Sequence, residues 1–310
     1  MYSPKTRKLL VLFLIIGWAI TLLFMAKPQK KLFRDNRILM GTFWEVTSPD
    51  KKAGRIVFNE VSRIEGLLSK YRKDSEVYRL NETGKLKVSP ETFSIIKKSK
   101  EISAKTDGAF DITVAPLIDL WGFTGQNFQV PAKHKIDAAL KLVGNDKIIL
   151  HEKDNSVEFK KPGVKIDLGG IAKGFTLDCA VEKLKEAGIK DCLIDAGGQI
   201  YALGNKFGKP WKIAVKDPGK NGLAETLVLK NRSASTSADY EQFFVKDNKS
   251  YGHIIDPKTG FPVESNIGAF TVISDNATEA DALSTAIFVL GEGKETELLS
   301  KFPQVEIKDY

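Results

Sequence analysis

The amino-acid sequence predicts an α+β fold, and three observations support this class. Segments with helical spacing of apolar residues are mixed with runs of short β-rich stretches, in no regular alternation. The 310 residues contain no internal repeat and no low-complexity tract. After the N-terminal tail, no composition shift marks a boundary between domains. We therefore expect residues 35–310 to form one large globular unit, or two closely packed lobes.

The first predicted elements are a strand over Ile38–Val46 and a helix over Arg55–Tyr71, whose apolar residues recur at helical spacing. Ser89 and Pro90 supply an N-cap followed by proline at the first helical position, which predicts a helix running toward Lys105. The remaining predicted elements are, in chain order, a helix over Lys133–Val143, strands over Lys147–His151 and Ser156–Lys160, a helix over Ile171–Ala187 and a strand ending at Asp195. From Ile200 to Ile273 the sequence predicts mostly strands and turns, including strands over Trp211–Val215, Thr226–Leu229 and Phe243–Val245, and helices over Thr278–Leu290 and Lys294–Phe302 follow.

The N-terminal tail contains a charge-free apolar run, Leu9–Ala26, of about the length that a bilayer core requires. We expect residues 1–34 to comprise a short cytoplasmic stub, a membrane helix and a basic linker. A short basic N-terminus before a first apolar segment usually stays inside, so the rest of the chain is expected outside the cytoplasm, held to the cell membrane by a single pass. A cleaved signal peptide is the alternative, although Phe24-Met25-Ala26 matches a small-x-small cleavage site poorly.

The charge distribution argues against a nucleic-acid-binding protein. The formal net charge is +8, but residues 1–36 carry seven basic side chains and one acidic one, so most of the excess lies in the tail. Elsewhere basic and acidic residues alternate, which is typical of a solvated mixed surface. The two cysteines, Cys179 and Cys192, are expected to be buried free thiols, with a single disulfide as the alternative.

Two glycine-containing turns follow predicted strands. In Asp167–Gly174 an apolar strand ends, glycines follow and a helix begins, so that backbone N–H groups at the helix N-terminus could bind a phosphate. An ordinary tight strand-to-helix turn explains this segment equally well. Asp195–Gly198 is a second turn of the same kind.

The segment Thr278–Thr285 offers oxygen ligands for a cation. Asp281 and Thr285 are one helical turn apart, so their side chains share a face and could hold one hard divalent ion. The alternative is structural, because Thr278 and Asp281 have the spacing of a capping box at a helix start.

His253 and two aromatic residues complete the candidate site. His253 precedes a turn rich in proline and glycine and could act as a general base, or serve only a structural role. Tyr71 and Phe110 could hold a planar ring system, while core packing is the alternative for Phe110.

Taken in chain order, these segments resemble the ApbE family of FAD:protein FMN transferases, from about Ile38 to Gly291. The segments that carry the resemblance are Met40-Gly41-Thr42, Tyr71 with Asp74–Val77 and Leu80-Asn81, Gly108–Thr113, Leu120–Phe123, Asp167–Gly174, Asp195–Gly198, His253–Gly260 and Ala280–Thr285.

The resemblance implies two packed lobes of mixed sheet and helices with FAD in the cleft between them. It implies that Mg²⁺ binds to the backbone carbonyl of Ala172 and to the side chains of Asp281 and Thr285, and that His253 is the base for an acceptor hydroxyl. The residues that it places against FAD are Met40, Tyr71, Ala109, Phe110, Asp111, Gly169, Lys173, Phe175, Ile254 and Ile255.

The implied reaction cleaves FAD, attaches FMN through a phosphoester bond to a Thr or Ser of another protein, and releases AMP. The implied acceptors are flavoprotein subunits of membrane redox complexes or extracytoplasmic reductases. Two other functions stay open: an Mg²⁺-dependent FAD pyrophosphatase that gives FMN and AMP, and a flavin-binding protein without catalysis. Many relatives are lipoproteins, whereas this chain has no cysteine near the end of its apolar run. It also contains no convincing copy of the acceptor motif, so we do not expect it to flavinylate itself.

Overall fold

The computed structural model describes residue 18 and residues 31–216, 222–238, 243–263 and 269–310. The residues from Phe33 to Tyr310 form one compact unit, and its helices and sheets confirm the predicted α+β class. The apolar run Leu9–Ala26 lies outside the described residues except for Trp18. Within the described part of the chain, no helix has the length and apolar character needed to cross a bilayer.

The centre of this unit is a seven-stranded sheet in which every neighbouring pair of strands is antiparallel. In spatial order its strands are β1 (Phe33–Leu39), β2 (Thr42–Ser48), β6 (Cys192–Ala196), β7 (Gln199–Leu203), β10 (Arg232–Ala238), β13 (Ala269–Ser274) and β14 (Glu306–Asp309). Three small antiparallel sheets surround it. They are formed by β3 (Lys85–Lys87), β5 (Ser156–Phe159) and β4 (Ile148–His151); by β8 (Trp211–Lys216) and β9 (Leu223–Leu229); and by β11 (Phe243–Lys246) and β12 (Lys249–Gly252).

Eight α-helices lie within the described residues after position 30. They are α1 (Ala53–Leu68), α2 (Glu76–Thr83), α3 (Pro90–Lys105), α4 (Ala115–Trp121), α5 (Lys133–Leu140), α6 (Ala172–Glu186), α7 (Ala277–Leu290) and α8 (Glu295–Lys301). Ser89 caps α3 as predicted, with its hydroxyl accepting from the Thr92 N–H at 3.3 Å. The predictions missed α2, α4, β3 and β14, whose short segments give a weak periodic signal.

One predicted element is wrong in kind. The single strand expected over Ile38–Val46 is a hairpin in which Leu39 pairs with Thr42 across a two-residue turn. The turn residues Met40 and Gly41 have φ values of 50° and 73°. Positive φ at both positions is the geometry that matches the twist of a tight hairpin. Met40 therefore lies in a turn and not within a strand.

Helices cover one face of the sheet. Val57 and Val61 of α1 and Leu177 and Leu184 of α6 are buried in one apolar cluster with Trp44 of β2. Helix α7 packs in a second cluster, which also contains residues of α3 and β13. Two cysteines lie in this layer as free thiols, Cys192 buried and Cys179 partly so, which confirms that they are unpaired.

Candidate functional site

A cleft with a volume of about 950 Å³ brings together residues from distant parts of the chain. It is lined by nearly all of the residues proposed from the sequence: Met40, Tyr71, Ala109, Phe110, Asp111, Gly169, Lys173, His253, Ile254, Ile255, Asp281 and Thr285. The size is sufficient for a ligand of drug size or larger. The residues that the resemblance to the ApbE family assigns to FAD and Mg²⁺ therefore share, apart from Ala172 and Phe175, one surface.

Two predicted residues, Ala172 and Phe175, are not part of the cleft wall. Phe175 packs against the large apolar cluster beside α7. Ala172 is buried as the first residue of α6, and its carbonyl accepts the Thr176 hydroxyl at 2.7 Å. A carbonyl oxygen has two lone pairs, so this bond leaves the Ala172 oxygen a second acceptor position. The metal-binding role of Ala172 and the flavin contact of Phe175 stay predictions.

The Asp167–Gly174 turn and helix α7, which carries Asp281 and Thr285, meet at the cleft. The Gly174 N–H donates to the Asp281 carboxylate at 2.8 Å. A methyl group at Gly174 would lie 2.1 Å from the Ala277 carbonyl oxygen, and one at Gly170 would lie 3.1 Å from the Thr285 hydroxyl. Only glycine permits α6 and α7 to approach so closely. The glycines of this turn therefore serve helix packing as well as access for a ligand.

Asp281 does not close the helix start, so the capping-box alternative is wrong. Helix α7 begins after Asn276, whose side chain accepts from the Glu279 N–H at 2.8 Å. Thr278 already lies inside the helix, and the Asp281 carboxylate points across to Gly174. Asp281 is 4% exposed. The helix start thus has its own cap, which leaves Asp281 available for a role at the cleft.

The environment of Asp281 fits a bound cation. Burial raises the pKa of this carboxyl, while the charge of Lys173 and the N–H groups of Gly174 and Lys173 oppose the rise. An ionised carboxylate in such a place is costly unless a positive charge is added. Thr285 lines the same cleft one helical turn later, and its hydroxyl lies 3.5 Å from the Asp281 backbone carbonyl. Carboxylate and hydroxyl oxygens are the donors that Mg²⁺ prefers, so these residues fit that ion. The described residues contain no cluster of three or more His, Cys, Asp or Glu side chains suited to a metal.

A network of hydroxyl groups joins the backbone of Asp281 to strand β10. This network was not predicted from the sequence. The Ser284 hydroxyl donates to the Asp281 backbone carbonyl at 2.9 Å, and it lies 2.9 Å from the hydroxyls of both Ser235 and Ser237 on β10. Three residues of β10, Ala234, Thr236 and Ser237, line the cleft, while Ser235 and Ser237 bond to α7. Serine at alternate positions of the Arg232–Ala238 strand was the signal that could have indicated these bonds.

Lys70 and Asp167 form a shielded ion pair at the cleft. Their side-chain atoms are 2.7 Å apart, with exposures of 11% and 13%. Burial by itself would lower the pKa of Lys70, but the Asp167 carboxylate outweighs it and keeps that pKa above its ordinary value. Asp167 also accepts from the Gly169 N–H at 2.7 Å, and the Lys70 ammonium lies 5.1 Å from the centre of the Tyr71 ring. The pair therefore joins the tyrosine segment to the glycine turn.

Two hairpin turns form another part of the wall. The Met40-Gly41 turn and the Gly197-Gly198 turn touch, because a methyl group at Gly197 would lie 2.1 Å from the Thr42 hydroxyl. The Met40 N–H donates to Glu65 of α1 at 3.0 Å. Gly197 and Gly198 have φ values of 65° and 93°, so the second turn also needs glycine. The predicted second glycine turn thus lies at the site.

The aromatic candidates differ in exposure. Tyr71 is 63% exposed, so its ring is open to a ligand or to solvent. Phe110 is 3% exposed, which confirms its packing in the core, and it also lines the cleft; its contact with a planar ring stays a prediction. The neighbouring Asp111 caps a short 3₁₀ turn by accepting from the Thr113 N–H at 2.8 Å. Burial raises the pKa of the Asp111 carboxyl, against the hydrogen bonds from Thr113.

His253 reaches the cleft from the end of a hairpin. It follows β12 directly, and the β11–β12 hairpin packs on Trp121, whose ring centre is 5.4 Å from that of Tyr251. On the other side, the Val263 N–H donates to the Ile254 carbonyl at 2.9 Å. The Trp121 indole N–H donates to the Gly260 carbonyl at 2.9 Å and holds the following turn. These contacts fix the backbone on both sides of His253.

Comparison with known proteins supports one family. A sequence model described as the ApbE family matches residues 40–307. The chain is 34% identical to the FAD:protein FMN transferase of Escherichia coli (strain K12) over 278 residues, which cover 84% of this chain and 79% of the relative. It is 30% identical to the FAD:protein FMN transferase of Haemophilus influenzae over 315 residues, with 95% and 91% of the two chains covered.

Solved structures give the same result. The fold is similar to the crystal structure of the ApbE protein from Thermotoga maritima, with a TM-score of 0.84, 36% identity, and 90% of this chain and 94% of that chain covered. It is also similar to the apo form of the flavinyl transferase ApbE from Pseudomonas stutzeri, with a TM-score of 0.80, 30% identity and coverage of 89% and 90%. Sequence, fold and the residues of the cleft agree, and this chain belongs to the ApbE family.

Proposed function

We propose that this chain is an Mg²⁺-dependent FAD:protein FMN transferase. The observation that carries the proposal is the meeting of the Gly169–Gly174 turn with Asp281 and Thr285 at one cleft. A helix start that offers N–H groups, next to a buried carboxylate, suits a diphosphate together with a divalent cation. The names of the curated relatives support the same activity.

Asp281 and Thr285 would hold the ion, together with the carbonyl of Ala172. When bound, Mg²⁺ neutralises charge on the diphosphate oxygens and aligns them for displacement. Gly174 orients Asp281 through its N–H, and Lys173 adds a positive charge close by.

The remaining wall would position the flavin part of FAD. The exposed ring of Tyr71 offers a stacking surface for the isoalloxazine ring, and Phe110 supports the adjoining glycine turn. Met40, Ala109, Ile254 and Ile255 line the cleft and would provide apolar contact area, and Asp111 and Gly169, which also line it, would contact the phosphate end.

His253 would accept the proton of the acceptor hydroxyl. In the proposed step the Thr or Ser oxygen of the acceptor forms a bond to the FMN-side phosphorus, and the bond from that phosphorus to the bridging oxygen breaks. AMP leaves with the bridging oxygen, and the hydroxyl proton passes to the His253 imidazole. The products are the FMN phosphoester and AMP.

The natural acceptors are proposed to be flavoprotein subunits of membrane redox complexes or extracytoplasmic reductases. This rests on the apolar run Leu9–Ala26, read as an uncleaved anchor that holds the domain outside the cytoplasm. Protease added to cells stripped of any outer membrane or wall should then degrade the domain, whereas protection until the cell membrane is broken would contradict the proposed orientation.

The activity is tested by incubating the purified full-length chain with FAD, Mg²⁺ and a flavoprotein subunit of a membrane redox complex. We expect the subunit to become fluorescent on a denaturing gel, with one AMP released per label. EDTA should prevent labelling. Release of free FMN and AMP without labelling would replace the transferase by a pyrophosphatase, and FAD binding without cleavage would leave only flavin binding.

Replacement of the proposed base gives a second test. We expect His253→Ala to reduce transfer by about 100-fold or more, the usual contribution of a general base, while FAD binding measured by flavin fluorescence stays within a factor of a few. His134→Ala on α5 is a control, because His134 does not line the cleft. Unchanged transfer in His253→Ala would assign His253 a structural role only.

A further inference from the structure

Asp178 is a carboxylate of α6 that the proposed reaction does not use. It is not part of the cleft wall. Its carboxylate accepts from the Ala277 N–H at 2.9 Å, from the Thr278 N–H at 2.8 Å and from the Thr278 hydroxyl at 2.6 Å. A negative charge at the start of a helix is favoured by the N–H groups that have no partner within the helix. Asp178 therefore binds the N-terminus of α7.

The contacts between the two helices are reciprocal. Helix α6 supplies the Gly174 N–H to Asp281 of α7, and α7 supplies the Ala277 and Thr278 N–H groups to Asp178 of α6. Gly174 and Asp178 are one turn apart on α6, as Ala277 and Asp281 are on α7. Two contacts separated by one turn fix the rotation of α7 as well as its distance from α6.

Rotation of α7 decides where Asp281 points. A carboxylate lies about 5 Å or more from its helix axis, so a rotation of about 20° would move it by about 2 Å. A misplacement of about 1 Å in a catalytic group can cost on the order of 100-fold in rate. Without the bonds to Asp178, the N–H groups of Gly174 and Lys173 would still hold the Asp281 carboxylate and Ser284 would still bind β10, but Asp178 would no longer fix the start of α7 to α6.

We infer that Asp178 is a positioning residue, which holds α7 in the rotation that presents Asp281 to the cation and diphosphate. The inference rests on the proposed function and extends it to a residue outside the cleft. A purely structural reading is that Asp178 only stabilises the helix start, as Asn276 does on the same helix.

These readings are separated by comparing Asp178→Asn with Asn276→Ala. An asparagine amide keeps the size of the side chain but turns an NH₂ group toward one of the N–H donors, so α7 loses part of its hold on α6. Asn276→Ala removes a cap from the same helix start but leaves the three bonds to Asp178 in place. We expect Asn276→Ala to unfold at lower temperature than the wild type, whereas in Asp178→Asn the loss of hydrogen bonds and the removal of a buried charge act on stability in opposite directions.

The decisive measurement is the dissociation constant for Mn²⁺, obtained from the electron paramagnetic resonance signal of the free ion with and without FAD. We expect Asp178→Asn to raise it by about 10-fold and to reduce kcat by 10-fold or more, with the KM for FAD changed by less than about 3-fold. Asn276→Ala should leave all three values near those of the wild type.

Equal Mn²⁺ affinity and kcat in Asp178→Asn and Asn276→Ala would overturn the inference. If Asp178→Asn does not fold, Thr278→Val, which removes the hydroxyl bond alone, should shift Mn²⁺ affinity in the same direction by a smaller factor; no shift there would also overturn it. Failure of the wild-type chain to label an acceptor would count against the proposed function, whereas Mn²⁺ binding still reports on the orientation of Asp281.

Discussion

Lys70 and Asp167 are two charged residues that were not among the predicted contacts of FAD or Mg²⁺, yet their ion pair lies at the cleft. Lys70 adjoins the predicted Tyr71, and Asp167 precedes the predicted Gly169 by two residues. Each looks like an ordinary charged residue in its own segment. The two residues are 97 positions apart in sequence, and only the folded chain shows that their contact joins the Tyr71 segment to the glycine turn.

Breaking this pair should weaken FAD binding. Either Lys70→Met or Asp167→Asn leaves a shielded charge without its partner, which we expect to raise the FAD dissociation constant by about 10-fold, equivalent to about 1.4 kcal/mol. The double variant should lose less than the sum of the single effects, because the two side chains act together. Flavin fluorescence without metal measures these constants.

The neighbouring exposed pair provides the control for this cycle. Arg72 and Asp74 are 2.8 Å apart but 49% and 70% exposed, so Arg72→Met should leave FAD binding nearly unchanged. Additive effects of Lys70→Met and Asp167→Asn would mean that the two residues do not act as a unit.

At the level of elements, the site depends on the close crossing of α6 and α7. Gly174 lets the two helices approach, Asp178 holds the start of α7, and the hydroxyls of Ser235 and Ser284 join α7 to β10. The sequence predicted both helices nearly to their ends. It did not predict that they cross, because helix periodicity identifies a buried face without identifying its partner.

A methyl group at the crossing should destabilise the fold. Gly174→Ala would place its Cβ 2.1 Å from the Ala277 carbonyl oxygen, and we expect a loss of about 2 kcal/mol or more in the free energy of unfolding. Gly66→Ala is the matched control on α1, because nothing lies within 4 Å of its added Cβ. That change should stabilise the protein by about 0.5 to 1 kcal/mol, since alanine favours a helix. Urea unfolding measures both, and equal stabilities would contradict the crowding at Gly174.

For the whole molecule, buried aspartate carboxylates lower the stability of the folded state at neutral pH. Burial raises the pKa of Asp281, of Asp111 and of Asp178. An acid whose pKa is higher in the folded state binds its proton more tightly there. Its contribution to stability is therefore greatest below the ordinary aspartate pKa, and it is lost as the pH rises through the raised value.

Asp281→Asn should consequently stabilise the metal-free protein while removing activity. At neutral pH, with EDTA present, we expect its unfolding temperature to exceed that of the wild type by about 2 °C or more. At a pH below the ordinary aspartate pKa the difference should disappear, because the wild-type carboxyl is then protonated in both states. Asp74→Asn, at an exposed carboxylate whose pKa is lowered by Arg72, should give no such gain. Scanning calorimetry measures these temperatures, and a less stable Asp281→Asn at neutral pH would contradict the cost assigned to Asp281.

By itself, the sequence determined the α+β class and most helix bounds, because these depend on local periodicity and helix caps. Its motifs indicated most of the cleft residues through their resemblance to the ApbE family. The tertiary structure decided the Met40-Gly41 hairpin, the contact of Gly174 with Asp281, and the supporting roles of Lys70, Asp167, Asp178 and Ser284. It also decided between the two readings of Asp281, since Asn276 caps the helix. The physical reason is that these contacts join residues far apart in sequence, where no local pattern of charge or hydrophobicity specifies the partner.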